Sequence, residues 1–358
     1  MQVGANCEKN NNPVKEYIMK RIILLLIPVL LVFSSIQNIY ANSTELPVMK
    51  ENTKLNIFDM FDYKEDGVAF VSLSDIYPYN VSWSDIYPYK PKKVIIPKKS
   101  GDEYNKISYT ILDKYRENFL TDLKLHETDN LYLHDYLTGK TITLPVKDLK
   151  AVARINVYQN ERDTPFDFMD YMLGFDIPLN KIKLFKDPGS VLVSIGAQNP
   201  FTNEALQVLT WKKIDQSMFP KTTKSVDKYI IKNFAEHYYD LAIGDTYLSE
   251  AYGYRYYMQD RLHDKDSTDN DGIFIRRLII VEPETNKVVL DTFYENDEST
   301  ILSSFENDQK NFKRGMTGKL FVDTPLVIFG LGGSAVFGCN SIEVIGNQYI
   351  PINCDNRH

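Results

Sequence analysis

The amino-acid sequence predicts an α+β fold made mainly of antiparallel strands and hairpins, with a few helices and a C-terminal hairpin closed by a disulfide. Three observations carry that expectation. Strand-like runs flank short turn-forming stretches in the C-terminal third: Phe274 to Val281 and Val288 to Phe293 around Glu282–Lys287, then Ile342 to Ile345 and Gln348 to Ile352 around Gly346-Asn347. Apolar residues recur at helical spacing in a few places only. Helices and strands do not alternate regularly, which excludes a doubly wound sheet.

The elements follow in chain order. Residues 1–41 read as a leader. From Met19, taken as the true start, Lys20 and Arg21 precede the apolar run Ile22 to Phe33, and Ala41 offers a small residue for cleavage. That run of twelve is well short of the ~20 residues that span a bilayer, so the mature chain is not expected to cross the membrane. The expected location is the periplasm or the extracellular space.

Residues 42–100 read as an extended N-terminal segment. It holds a tandem unit in which Val71–Asn80 and Val81–Lys90 agree at eight of ten positions. Tyr-Pro-Tyr in each copy favours extended backbone, because proline restricts itself and its predecessor. Two copies are too few for a solenoid, and an insertion tolerated in an exposed loop is the simpler account.

Residues 101–358 read as one α+β domain, with a sub-boundary left open near 220. Tyr109, Leu112, Tyr115, Phe119 and Leu123 form one apolar stripe, predicting a helix over 104–124. Leu131 to Leu144 predicts a hairpin, and Ala151 to Tyr158 a strand. Thr164-Pro165-Phe166-Asp167 has the hydroxyl, proline and acid of a helix start, predicting a helix over 165–174. Strands are expected at Val191–Ile195 and Leu206–Ile214. A third helix, 225–242, follows from the stripe Val226, Tyr229, Ile230, Phe234, Tyr238 and Leu241, with Gly244 just beyond.

Composition narrows the function classes. The net charge is −7; losing residues 1–41 removes four basic and two acidic residues and makes it −9. An acidic chain is a poor nucleic-acid partner. Without the leader two cysteines remain, Cys339 and Cys354. A two-residue Gly346-Asn347 loop pairs residues whose numbers sum to 693, as these two do, so a disulfide is expected in an oxidising compartment.

Several motifs fail on inspection. Gly330-Leu331-Gly332-Gly333 follows a strand, but no helix can follow to aim its N-terminus at a pyrophosphate. Ser334 lacks the flanking glycines of a nucleophile elbow. The five histidines, at 126, 134, 237, 263 and 358, have no zinc spacing. Asp264, Asp266, Asp269 and Asp271 could offer oxygens to calcium, the one cofactor left open. No register adds the distal acid of a calcium loop, however, and a solvated acidic loop is the plainer reading. The tyrosines at 252, 254, 256 and 257 suit a strand as well as a recognition surface. The sequence therefore points to an exported protein that binds a protein or cell-envelope component without catalysis. A secreted hydrolase using dispersed Asp and Glu residues is the alternative.

Overall fold

The computed structural model describes residues 55–63, 66–75, 106–156, 166, 170–185, 188–222, 224, 229, 241–262, 272–296, 302, 313–331, 341–346 and 348–353. All belong to one compact unit, residues 48–358. Of these described residues 55% are strand and 12% helical, arranged in three sheets. The α+β expectation is therefore corrected to a mainly β fold.

The first nine strands are β1 (Ile57–Phe58), β2 (Met60–Tyr63), β3 (Val68–Asp75), β4 (Ser108–Thr110), β5 (Asn130–Asp135), β6 (Lys140–Pro145), β7 (Lys150–Ile155), β8 (Tyr171–Pro178) and β9 (Val191–Gly196). Helix α1 (Asp113–Asp122) lies between β4 and β5. An antiparallel sheet in the order β2-β3-β8-β7-β4 packs on one face of β1, β9, β5 and β6. Phe58, Leu133 and Val193 meet Val71, Ala153 and Phe175 in that core. Part of the segment read as extended, residues 57–75, thus supplies three strands. The first repeat copy enters β3 through Val71–Asp75, and residues 76–100 lie outside the described set.

Two helix expectations are corrected, one in identity and one in extent. Residues 171–174, expected to close a helix, open β8, whose two faces are both buried: Leu173 and Phe175 on one, Met172 on the other. A strand covered on both sides needs apolar residues at nearly every position, so its period of two is erased. Over 104–124 the stripe spans two elements. Tyr109 sits in β4 and packs on Tyr171 with ring centroids 5.4 Å apart, whereas the helix begins only at Asp113. Leu112, extended at the N-cap, is 56% exposed. The third expected helix, 225–242, lies mostly outside the described residues; Tyr229 is helical and Ala242 opens a strand.

The remaining strands are β10 (Gln207–Thr210), β11 (Lys212–Lys213), β12 (Ala242–Ala251), β13 (Tyr254–Leu262), β14 (Ile273–Glu282), β15 (Lys287–Glu295), β16 (Lys313–Gly318), β17 (Val327–Phe329), β18 (Ser341–Val344) and β19 (Gln348–Asn353). At Trp211 the chain leaves one sheet for another: β11 to β15 form an antiparallel meander, while β10 belongs to a nine-stranded sheet, β10-β16-β17-β18-β19-β1-β9-β5-β6. Near residue 220 the chain packs against the meander, with the Thr222 hydroxyl donating to Asp291 at 2.9 Å.

The long sheet curls. Tyr132 of β5 and Val327 of β17 meet in a single core with Ile57, Ile342 and Ile352, giving a half-barrel. The meander covers the opposite face of β16 to β18, where Tyr256 and Thr317 share a hydrogen bond at 3.0 Å. Among the described residues only β1 and β19 pair in parallel.

The C-terminal hairpin corrects the register on which the disulfide expectation rested. Val344 faces Gln348, so the connection has three residues and paired numbers sum to 692. Ile345 leaves the ladder because it is buried and its N–H donates to Leu326, while Gly346, at φ +118°, donates to Val289. A one-residue slip moves side chains to the other face and removes the numerical match of 339 with 354. No disulfide is found among the described residues; Cys339 and Cys354 lie outside them.

Candidate functional site

At its start β1 parts from β9. Ile57 still faces Ser194, but Leu55 and Asn56 precede the ladder, while β9 continues beside β5 through Ile195 and Gly196. The wedge is a cleft of about 270 Å³, completed by the turns Gln198–Pro200 and Phe321–Thr324. Those turns are tied to each other. Phe201 and Phe321 form an isolated antiparallel bridge, and Val322 N–H donates to the Pro200 carbonyl at 2.9 Å.

The polar groups around the cleft have capacity left over. Asn199 Oδ1 accepts from Phe201 N–H at 3.0 Å, which orients the amide and leaves its Nδ2 without a partner among the described residues. Gln198 and Asp323 make no side-chain hydrogen bond among those residues, and neither does the hydroxyl of the buried Ser194. The Thr324 hydroxyl donates to the Pro325 carbonyl at 3.1 Å and keeps its lone pairs. Among the described residues Asp323 is the one acidic side chain lining the cleft, and no basic one lines it.

Beneath it runs a stack of rings. Phe321, in the cleft wall, stacks on Phe201 at 5.5 Å, and Phe201 stacks on His134 at 4.6 Å with the planes 7° apart. His134 is fully buried, with Nδ1 2.9 Å from Thr141 Oγ1 and no hydrogen-bond partner at Nε2. Burial pulls its imidazole down to about 4, against the opposing pull of Asp135. A neutral, enclosed ring supports packing and not proton transfer.

Asp59, just after β1, is the counterpart: burial pushes its carboxyl up to about 6. The two groups bias stability in opposite directions. At His134 the unfolded chain holds more protons between about pH 4 and 6.5, so that contribution is lost as pH falls through the window. At Asp59 the folded chain holds more protons between about 3.8 and 6, so its contribution is lost as pH rises. Each slope is about 1.4 kcal/mol per pH unit, so they offset one another. Relative to the parent, Asp59→Asn is expected to gain about 2 kcal/mol as pH rises from 4 to 6, and His134→Gln to lose a similar amount. Urea midpoints across that range test this; parallel profiles for parent and variants would refute it.

The site residues singled out from sequence cannot be placed against this cleft. Asp264, Asp266, Asp269, Asp271, Cys339, Cys354 and Ala41 all lie outside the described residues. Among the described residues no group of three or more His, Cys, Asp or Glu could hold a metal, and no helix is long and apolar enough to cross a membrane. The cleft residues went unnoticed because three separate segments supply them; the only local signal is polar, turn-forming composition at Gln198-Asn199-Pro200 and Asp323-Thr324-Pro325. No protein-family model, no curated protein and no solved structure matches this chain.

Proposed function

We propose that this chain is an exported, non-catalytic binding protein that acts at the cell envelope and takes its ligand in the cleft between β1 and β9. The observation that carries the reading is the wall of unengaged amide, hydroxyl and carboxylate groups held on tied turns over an apolar floor. Convergent polar groups in a mostly preformed concavity are the general form of a binding site. A glycosidase-like hydrolase would need two carboxylates flanking the scissile bond, and among the described residues the cleft lining provides Asp323 alone. The leader supports the location.

The test is capture. The chain recovered from the producing cell, immobilised and exposed to solubilised envelope, is expected to retain a component that a cytosolic extract does not supply. Turnover of envelope polymers by the purified chain, or equal retention from both extracts, would overturn the proposal.

A further inference from the structure

We propose that the cleft binds one ring of a neutral polyhydroxyl ligand, a sugar displayed by the envelope; this rests on the binding reading above. The argument begins with charge. Among the described residues no basic side chain lines the cleft to compensate a phosphate or carboxylate, and the single exposed acid does not make a site for a strongly cationic group. Neutral ligands remain.

Next comes the pattern of donors and acceptors. A sugar hydroxyl donates one hydrogen bond and accepts others, so its complement is a mixed set in which acceptor-only and donor-bearing groups sit side by side. Asp323 supplies acceptors, Asn199 Nδ2 supplies two donors, Gln198 supplies both, and the Ser194 hydroxyl supplies both from inside the wall. Ser194 is 6% exposed and lines the cleft; its hydroxyl has no partner among the described residues and opens to the cleft, where a ligand hydroxyl would meet it. A purely apolar ligand would leave all four groups desolvated and unpaired.

Size then limits the ligand. About 270 Å³ lies just under the range of pockets that enclose drug-sized molecules, so one ring enters and the rest of a chain stays outside. Leu55, Ile195 and the half-exposed Val322 offer the C–H face of a ring an apolar surface. Affinity for a lone ring is accordingly weak, with Kd on the order of 1 mM.

The experiment titrates the chain with methyl glycosides of glucose, galactose, mannose and N-acetylglucosamine, read by ligand-observed NMR. Three variants test the site. Asn199→Asp keeps the oxygen that caps the turn and removes the donors, Asp323→Asn removes the charge at constant shape, and Ser194→Ala removes the inner hydroxyl. Each is expected to weaken binding about tenfold with the thermal midpoint unchanged. Tyr349→Ser, at a residue 67% exposed that does not line the cleft, is expected to leave binding as it was. Binding that survives all three variants overturns the site. If no glycoside binds but capture from the envelope persists and is abolished by Asn199→Asp, the sugar class is wrong while the binding reading stands. If neither glycoside nor envelope component is retained, both fail.

Discussion

Asp260→Asn is expected to lower the unfolding free energy by about 3–5 kcal/mol, the cost of leaving a buried charge without its counter-ion. Arg276 has no exposed surface and Asp260 is 2% exposed. They face each other across β13 and β14, with Arg276 Nε donating to Asp260 Oδ1 at 2.7 Å and a second guanidinium nitrogen donating to Oδ2 at 3.0 Å. Tyr294 is the next residue in the row, opposite Arg276 on β15, and burial raises its hydroxyl well above the usual range. This row has no low-energy way to admit an uncompensated guanidinium. Replacing both partners, as in Asp260→Leu with Arg276→Met, is expected to recover most of the loss, because the pair attracts strongly but is expensive to desolvate. Denaturant midpoints of the two variants decide the matter. A single variant within about 1 kcal/mol of the parent would show that water reaches the pair.

Gly174→Ala is expected to cost about 3 kcal/mol or more, at the upper end for overpacking. Gly174 lies in β8 between β3 and β7, facing Ser72 and Val152. A Cβ placed on it would stand 1.9 Å from the Val71 carbonyl oxygen and 2.8 Å from the Phe70 ring. The ring could turn aside; the carbonyl belongs to the neighbouring strand, and moving it opens the sheet. Loss of soluble, cooperatively unfolding protein is the expected phenotype, read by thermal melting beside a conservative control such as Val152→Ala. A midpoint equal to the parent's would mean that β3 and β8 separate without penalty there.

Local turn chemistry and strand pairing were legible where both partners lay close in sequence. The β5–β6 hairpin turns at Leu137–Gly139, and β14 and β15 flank Glu282–Lys287 as alternation and turn residues indicated. The C-terminal hairpin was visible but not its register, because Ile345 is drawn from the ladder by Leu326 and Gly346 by Val289, residues no local rule could nominate. Helix content was overestimated where strands are buried on both faces. In β8 Met172, Leu173 and Phe175 are all inaccessible, so no polar residue marks the solvent side that would reveal a period of two.

The cleft was the least legible part. Asn199 and Asp323 stand 124 positions apart, and neither belongs to a motif. They share a wall because an isolated bridge joins Phe201 to Phe321 and a nine-stranded sheet brings the ends of β1 and β9 alongside.

Composition and short-range pattern were sufficient for an acidic chain and abundant hairpins, and they are the basis on which an export leader is proposed and nucleotide and nucleophile motifs are set aside, since each depends on residue type or on spacings of a few residues. The balance of sheet over helix, the one-residue register of the last hairpin and the cleft itself came from long-range packing. Those features depend on which surfaces are covered on both sides and which strand ends part company, and such quantities exist only once the sheets have assembled.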